Sequence, residues 1–357
     1  MSNKKLALLG IVAVVMVILA VLQKPSSEKM KSGGEGQSYL IQGLNPSDIY
    51  SIVLGTGSDI VTLKRHGGRF VVAEKDDYPA KTDAINDLIT ACLDIKTTEM
   101  YTDDKKNHKD LGVTEEDAES VVKLFKADSS QLAGFVIGKN KGYDRGTFVR
   151  LVSDDKVYLS VDMPRINTNM MDYIESSLLS INSKDIESVQ VVSDKESYSI
   201  KRKEGGDGLV LENIPEGKKQ KDDVCKSVFE AATSLWLTDV SQGTSGVLFD
   251  KKYICRLKDS TVYTLEIAQK ESKNYIICSA EFTDPTVVTK PEAEESEDEL
   301  KKKEALLLGR DNAREFSGKH KGWIYEIDQY KADHLVKAFS ELIEDEKKPQ
   351  VTEPNEP

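Results

Sequence analysis

The sequence predicts an α+β fold made of two tandem repeats of antiparallel strands with packed helices, behind one N-terminal transmembrane helix. Three observations lead to this prediction: a stretch that occurs twice, short β-type runs separated by turn residues, and an apolar run near the N-terminus. Runs of strands with a helix laid across them are typical of α+β architecture and not of doubly wound sheets. The 357 residues are enough for two repeats that each bury a core.

An uncharged apolar run occupies residues 6–22, a length at the lower limit for a membrane-spanning helix. A cleaved signal peptide is disfavoured because no Ala-x-Ala site follows the run, and a buried core helix is disfavoured because the run has no polar face. Lys4 and Lys5 favour a cytoplasmic N-terminus, although Lys24 and Lys29 weaken the charge asymmetry. We expect a cytoplasmic stub and anchor in 1–23 and a flexible tether in 24–42.

The stretch that occurs twice is the evidence for duplication. Residues 45–54 read Asn-Pro-Ser-Asp-Ile-Tyr-Ser-Ile-Val-Leu, and residues 182–191 read Asn-Ser-Lys-Asp-Ile-Glu-Ser-Val-Gln-Val. The match continues without a gap to residues 63–65 and 200–202. Self-similarity at a fixed offset indicates one structural unit used twice. We expect repeats at 43–180 and 181–345, followed by a disordered tail at 346–357.

In the first repeat, short β-type runs bounded by turn residues predict strands at 48–54, 59–65, 69–73 and 132–137, and a strand from Val121 into a turn at 128–130. A helix follows the third strand, with an apolar face formed by Ile85, Leu88, Ile89, Cys92 and Ile95. A strand at 157–158 and a second helix complete the repeat. The apolar face of that helix consists of Ile166, Met170, Tyr173 and Ile174.

The second repeat shows the same order of elements. Strands are predicted at 197–203, 209–211, 253–258, 262–267 and 324–325. Its first helix begins near Asp222 and carries Val224, Val228, Ala231 and Leu235 on one face. Its second helix carries Leu335, Ala338, Phe339 and Leu342. Residues 137–139, around Gly138, correspond to 308–310, around Gly309.

A charged insertion near 284–306 distinguishes the second repeat. Glu297, Asp298 and Glu299 each precede a lysine by four residues, the favourable order on a helix. With Pro291 at its start and Gly309 at its end, this run predicts a solvated helix after a strand at 274–282. A disordered charged loop is the alternative, and a calcium loop is disfavoured because the alternating acidic spacing of an EF-hand is absent. If one part of the protein has specialised, we expect it here.

The four cysteines are Cys92, Cys225, Cys255 and Cys278, none of them in a Cys-x-x-Cys pair. An even number of cysteines outside the cytosol is compatible with disulfides. Cys255 and Cys278, however, fall on strands separated by a third strand, which is too far for a bridge. We expect free, buried thiols.

Several segments together resemble the family catalogued as domain of unknown function 4340. They are residues 45–52, Thr62-Leu63-Lys64-Arg65, Gly67-Gly68-Arg69-Phe70, Tyr78-Pro79-Ala80, the helix from Thr82, Asp110-Leu111-Gly112-Val113 and Ile137-Gly138-Lys139. The second copy lacks a clear Tyr-Pro-Ala or Leu-Gly-Val. The resemblance implies a single-pass protein of the bacterial inner membrane with most of its chain extracytoplasmic. Members are often encoded beside ABC-transporter or gliding-type transport components, and the family supplies no catalytic residues.

No reactive constellation stands out in the sequence, so we predict no catalytic, cofactor-binding or metal-binding residues. His66, His108, His320 and His334 lack metal-ligand spacing and are expected at the surface. The glycine pairs at 55–57, 67–68 and 142–146 are interpreted as turns, since no Lys-Ser/Thr opens a helix after them. The charged run at 103–110 is expected to be a solvated loop. Trp236, on the predicted first helix of the second repeat, and Trp323, on a strand, are interpreted as core or interface anchors.

Three function classes remain open. A net charge of −12 disfavours nucleic acid as a partner. The duplication and the anchor favour a non-enzymatic scaffold or interaction protein that docks on a membrane complex. A ligand- or glycan-binding envelope protein is the alternative, and an envelope hydrolase with residues assembled from distant positions is less favoured.

Overall fold

The computed structural model of the chain describes residues 36–57, 59–142, 146–203, 208–243, 246–288 and 296–346. The predicted anchor, residues 24–35 of the tether, residues 143–145 of one glycine turn and residues 347–357 of the tail lie outside them. No helix within the described ranges combines the length and the apolar character needed to cross a membrane.

The described chain is mixed and strand-rich, with antiparallel sheets and few helices, as the α+β prediction requires. It divides into two compact units. Unit 1 contains the residues up to Ile60 together with Asn86–Thr168. Unit 2 contains Val61–Ile85 together with the residues from Asn169 onward.

Unit 1 is built around one antiparallel sheet. Its strands are β1 (Ser38–Tyr39), β2 (Ser51–Thr56), β6 (Lys96–Thr102), β7 (Ser120–Phe125), β8 (Gln131–Asn140), β9 (Thr147–Leu151) and β10 (Val157–Ser160). They follow the order β1-β6-β10-β9-β8-β7-β2. A cluster of buried residues lies on this sheet, formed by Val113, Val121, Val136, Phe148 and Val157. Helix α1 (Thr82–Leu93) leads into β6, and the single-turn helix α2 (His108–Leu111) precedes β7.

Unit 2 contains a hairpin ladder and a larger sheet. The ladder consists of β3 (Asp59–His66), β4 (Arg69–Val72) and β5 (Tyr78–Pro79). The sheet strands are β11 (Ser177–Ser180), β12 (Ile186–Ser193), β13 (Ser197–Arg202), β14 (Leu209–Leu211), β16 (Ser234–Gln242), β17 (Lys251–Leu257), β18 (Thr261–Lys270), β19 (Lys273–Phe282) and β20 (Trp323–Ile327). A separate pair joins β15 (Lys218–Gln220) to β21 (Ile343–Asp345). The helices are α3 (Asp222–Phe229), α4 (Glu297–His320) and α5 (Gln329–Leu335).

The sheet of unit 2 follows the order β11-β16-β20-β19-β18-β17-β12-β13-β14. Its first seven strands match the seven strands of unit 1 one for one, from β1 with β11 to β2 with β12. In this order β10 corresponds to β20, so the strands predicted at 157–158 and 324–325 occupy equivalent places in the two sheets. Strand β9 corresponds to β19, so the strand at 274–282 is part of the common pattern and only the segment after it is inserted.

The stretch that occurs twice in the sequence adopts the same local structure twice. The Asn45 side chain accepts a hydrogen bond from the Ser47 amide at 3.1 Å and begins a 3₁₀ turn. The Asn182 side chain accepts one from the Lys184 amide at 3.0 Å and begins another. An asparagine that bonds to its own chain two residues on is a common way to start such a turn. The isoleucine after each turn is fully buried.

Three of the predicted helices are shorter than expected because side chains form hydrogen bonds with the backbone at or near their ends. Helix α3 stops at Phe229, and Leu235 lies on β16. The buried Tyr253 hydroxyl donates to the carbonyl oxygens of Val228 at 2.8 Å and Phe229 at 3.2 Å. These bonds satisfy the last carbonyl groups of α3. Without them, the carbonyl groups would need hydrogen bonds from a further helical turn.

The closing helices are also shorter than predicted. Around Ile166 no helix forms, and only a 3₁₀ turn occurs at Met170–Tyr173, begun by the Asn169 side chain. Asparagine side chains compete with helix hydrogen bonding in this way. Helix α5 ends at Leu335, since the Lys337 carbonyl accepts the Tyr198 hydroxyl at 2.6 Å and a second 3₁₀ turn occupies Phe339–Glu341.

All four cysteines are buried and none forms a disulfide, which confirms the prediction of free thiols. Cys255 on β17 and Cys278 on β19 are separated by β18. Burial raises the pKa of the Cys92 and Cys255 thiols to about 12. Both therefore stay protonated and unreactive at neutral pH.

Candidate interaction surface

Helix α4, the long helix of the charged insertion, begins with a capping box. The Ser296 hydroxyl accepts a hydrogen bond from the Glu299 amide at 3.3 Å, and the Glu299 carboxylate accepts one from the Ser296 amide at 2.8 Å. The Ser296 amide and the Ser296 hydroxyl both donate to the Glu299 carboxylate, and these two bonds hold the pKa of Glu299 below its usual value. Glu297 forms an ion pair with Lys301 at 2.8 Å, one of the predicted four-residue pairs. The prediction of a helix is confirmed, while Pro291 lies outside the described residues.

The prediction that Gly309 ends this helix is wrong, because α4 continues through it to His320. Gly309 is buried against Phe282 at the end of β19. A Cβ atom added at this glycine would lie 2.5 Å from a ring carbon of Phe282. The glycine is therefore explained by close packing of the helix on the sheet and not by helix termination. Gly138, its predicted counterpart, lies on β8, so this correspondence is also wrong.

The inner side of α4 covers an open sheet edge. Strand β19 pairs with β18 along its whole length but with β20 only from Asn274 to Ile276. Beyond that point the Ser317 hydroxyl accepts a hydrogen bond from the Ala280 amide at 2.8 Å and donates one to the Ala280 carbonyl at 2.6 Å. A serine thus takes the place of a neighbouring strand. Covering an edge in this way protects it from pairing with other chains.

A second edge in unit 2 is protected by the same device. Strand β14 ends the sheet order. The Gln220 side chain accepts a hydrogen bond from the Leu211 amide and donates one to the Leu209 carbonyl, both at 2.8 Å. Strand addition at β14 would therefore have to displace this glutamine.

The outer side of α4 exposes three leucines. Leu300, Leu307 and Leu308 are 40%, 48% and 54% exposed. At about 100° per residue, these positions fall within one third of the helix circumference, on the side opposite Gly309 and Ala313. We call this set of three leucines the leucine face. Exposed leucines are ordinary when scattered, but three on one helix side form a patch suited to another apolar surface.

The sequence contained the signal for this patch in the spacing of Leu300, Leu307 and Leu308, which recurs at i, i+7 and i+8. The charges around them led to the interpretation of a solvated run. Spacing alone does not show which side of an insertion faces the sheet, and the buried Gly309 and Ala313 decide this.

A matched pair of glycine substitutions tests the packing of α4. Alanine favours a helix over glycine by about 1 kcal/mol. At Gly318 no atom lies within 4 Å of an added methyl group, so Gly318→Ala should stabilise the protein by about that amount. At Gly309 the added methyl group displaces the Phe282 ring. This ring also packs under the Arg310 guanidinium, which lies 5.6 Å from the ring centre. Gly309→Ala should therefore destabilise it by about 1–3 kcal/mol.

Urea denaturation of both variants measures this difference. Adding Phe282→Ala to Gly309→Ala should remove the clash and give a smaller loss than the two single changes together. Equal stabilisation by both glycine replacements would contradict the packing described above.

The prediction that all four histidines lie at the surface is wrong for two of them. His66 is exposed at the end of β3. His108 is buried, and its Nε2 lies 2.8 Å from the Asp155 carbonyl oxygen. His320, at the end of α4, is 1% exposed, and its Nδ1 lies 2.7 Å from the Tyr325 hydroxyl. His334 is half-buried on α5 beside Tyr330, with ring centres 4.4 Å apart.

His320 belongs to a buried aromatic cluster in unit 2. The ring centres of Phe316 and His320 lie 4.3 Å apart. The side chain of Tyr325 also forms a hydrogen bond with the side chain of Tyr78. Burial, with the nearby charge of Lys319, lowers the pKa of His320 to about 4. Burial raises the pKa of Tyr325. The cluster is therefore neutral at pH 7 and serves to attach the C-terminal end of α4 to the sheet.

The structure also shows the positions of the 67–68 glycine turn, the charged run at 103–110 and the two tryptophans. Gly67 and Gly68 both have positive φ and form the β3–β4 turn, as predicted. The run 103–110 is exposed except for His108 and contains a short helix instead of a plain loop. Trp236 lies on β16, is 53% exposed and is not a core anchor. Trp323 lies on β20, as predicted, with its ring 4.7 Å from Tyr78.

A cleft of about 480 Å³ opens in unit 1 beside the end of β2. Glu115, Glu116 and Lys123 contribute charged groups, and Thr56 and Gly57 form one wall. Lys123 and Glu115 form an ion pair at 2.5 Å. Across the described parts of the chain, no group of three or more His, Cys, Asp or Glu side chains is arranged to hold a metal ion.

A comparison with models of known protein families gives a match. A family model described as Domain of unknown function (DUF4340) matches residues 71–241, from β4 into β16. No curated protein matches the chain. The resemblance seen in the sequence is therefore confirmed, and over residues 71–241 the chain is similar to the DUF4340 family.

Proposed function

We propose that this protein is a membrane-anchored, extracytoplasmic interaction protein that docks on its partner through the leucine face of α4. The observation that carries the proposal is the exposure of Leu300, Leu307 and Leu308 on the helix side turned away from the sheet. Helices that present apolar residues on one side bind hydrophobic grooves or other helices.

The energy available from this face alone is modest. Burying a leucine side chain completely contributes about 1.5–3 kcal/mol. The three leucines are already about half buried. Removing the rest of their surface from water therefore contributes about half of that range for each leucine. Part of this gain is offset by the cost of association, so the partner must add contacts of its own.

The wider setting of the proposal comes from the sequence. The apolar run at 6–22 supports a single N-terminal anchor in a bacterial inner membrane, with the two units outside the cytoplasm. The resemblance to the DUF4340 family supports an accessory role in an ABC-type transport complex. The matching strand orders and the shared asparagine turns support an origin of the two sheets as tandem copies of one unit.

Site-specific photocrosslinking in native membranes tests the docking surface. A photoreactive residue at Glu304, between the leucines, should give a discrete crosslinked product. The same residue at Leu248, which is 80% exposed on a loop of unit 2, is the matched control and should give none. Leu307→Lys should abolish the Glu304 product without changing the thermal unfolding temperature. Equal products from both positions, or none from Glu304, would refute the docking surface.

A ligand- or glycan-binding role is the second candidate, and the cleft of unit 1 favours it. Its carboxylates and its lysine can hydrogen-bond the hydroxyl groups of a sugar. If the cleft binds such a ligand, a panel of envelope glycans should raise the thermal unfolding temperature of the wild-type protein. Glu116→Gln should reduce the shift, whereas Leu307→Lys should leave it unchanged. No shift across the panel would eliminate this role.

A further inference from the structure

We propose that a second cavity of unit 1 binds a small zwitterion of the α-amino-acid type. The cavity has a volume of about 300 Å³, which is at the small end of ligand pockets. Its lining includes the buried Ser120 and Ile137 and the more exposed Glu119 and 164–167. It shares no lining residue with the leucine face or with the cleft beside β2, so this inference is independent of the proposed function.

Ser120 supplies the observation that points to a ligand. Its side chain is 5% exposed, and its hydroxyl has no hydrogen-bond partner among the described residues. Buried hydroxyl groups nearly always have a partner, because a buried polar group without one has lost its bonds to water. A serine side chain has three staggered positions, so a ligand in the cavity that Ser120 lines can provide the missing bond.

The equivalent position of unit 2 shows that the sheet does not require this serine. Strand β17 has the place in unit 2 that β7 has in unit 1. Ser120 begins β7 and pairs with Ile137 of β8, whereas Lys251 begins β17 and pairs with Ile267 of β18. Lys251 is half-buried. The buried hydroxyl is therefore a feature of unit 1 and not a requirement of the repeated fold.

Glu119 and Arg165 give the cavity one negative and one positive group. Both residues are exposed, and no hydrogen bond or ion pair joins either side chain to another residue in the described ranges. A carboxylate attracts an ammonium group, and a guanidinium binds a carboxylate through two parallel hydrogen bonds. A ligand with both charges therefore satisfies both groups, whereas a dianion is repelled by Glu119 and a diamine by Arg165.

The three polar groups assign an orientation to the ligand. Arg165 and the Ser120 hydroxyl donate to its carboxylate, and Glu119 accepts from its ammonium group. Ile137 and the half-buried Ile166 provide an apolar contact for its side chain. An α-amino acid carries its carboxylate and its ammonium group on one carbon atom, so a ligand small enough for this cavity presents both.

Isothermal titration calorimetry of the full chain in detergent, with each standard amino acid in turn, tests the proposal. At least one amino acid should bind. Its two analogues, the amine that lacks the carboxylate and the acid that lacks the ammonium group, should each bind at least about tenfold more weakly, because each loses a charge-assisted contact. No binding across the panel, or equal binding of either analogue, would overturn the inference.

Ser120→Ala separates a role in binding from a role in the fold. Removing a buried hydroxyl that has no partner should leave the thermal unfolding temperature unchanged or raise it. The amino acid that binds the wild type should bind the variant about tenfold more weakly. Lys251→Ala, at the equivalent position of unit 2, is the matched control and should leave the affinity unchanged. A lower unfolding temperature with an unchanged affinity would show that the hydroxyl serves the fold and would refute its place in the site.

Charge removal tests the two ends of the ligand separately. Arg165→Gln should weaken binding of the amino acid and leave the weak binding of the amine analogue unchanged. Glu119→Gln should weaken binding of the amino acid and leave that of the acid analogue unchanged. Arg314→Gln, at an exposed position of α4, is the control and should change neither affinity. Wild-type affinity for the amino acid in either cavity variant would overturn the inference.

Discussion

Replacing Ile49 by alanine should destabilise unit 1 by about 3 kcal/mol, and replacing Ile186 by alanine should destabilise unit 2 by about the same amount. Both isoleucines are fully buried, and each follows a 3₁₀ turn begun by an asparagine side chain. Shortening a buried isoleucine to alanine loses its transfer energy and leaves a cavity. The equal burial and the equal local structure predict equal costs.

Urea denaturation followed by circular dichroism measures both losses. The matched controls are the exposed neighbours at equivalent positions, Tyr50→Ala and Glu187→Ala, which should change stability by less than about 0.5 kcal/mol. A large cost at one isoleucine with a cost near the control value at the other would contradict the structural equivalence of the two turns.

Lowering the pH from about 6.5 to about 4 should destabilise the protein through His320. Its pKa in the folded chain is about 4, below its ordinary value of 6.5. Between these values the unfolded chain binds a proton that the folded chain does not, so stability falls as the pH falls. Each unit of difference corresponds to about 1.4 kcal/mol, which gives a loss of about 3 kcal/mol over the window.

The physical cause is the enclosure of the ring. Phe316 and Tyr325 face His320 and offer no negative charge, while Lys319 is adjacent and positive. An imidazolium in this position loses its hydration without gaining a compensating carboxylate.

His320→Asn isolates this contribution from that of the carboxylates, which also titrate as the pH falls. Asparagine can keep a hydrogen bond to Tyr325 near the position of Nδ1, and it does not titrate. The stability difference between wild type and variant should therefore change by about 3 kcal/mol between pH 7 and pH 4. His66→Asn, at the exposed end of β3, is the control for the effect of the substitution itself on stability at pH 7. Parallel pH profiles for wild type and His320→Asn would show that the ring does not stay neutral in the folded protein.

Where local patterns agreed with tertiary packing, the predictions from sequence are confirmed. The alternating runs placed β3, β4 and β13 within one or two residues, and the apolar spacing of Ile85, Leu88 and Cys92 placed α1. In these elements the hydrophobic period and the turn residues at the boundaries favour one structure, so no distant contact is needed to choose it.

Predictions failed where a distant group supplied the deciding hydrogen bond. Tyr253, on β17, ends α3 by taking its last carbonyls, so Leu235 becomes part of a strand. Ser317 and Gln220 satisfy strand edges, a role that no local pattern in the sequence indicates. The buried state of His320 likewise depends on Tyr325 and Phe316, which meet it only in the folded chain.

The sequence by itself determined the α+β class, the repetition of the asparagine turns and the helical character of the charged insertion. These features depend on neighbours within a few residues, whose spacing and side-chain chemistry are visible along the chain. Only the tertiary structure decided that Gly309 packs on Phe282, that α4 covers the edge of β19 and that Leu300, Leu307 and Leu308 face outward. Which side of a helix is buried depends on the surface it meets, and that surface is assembled from strands that are distant in sequence.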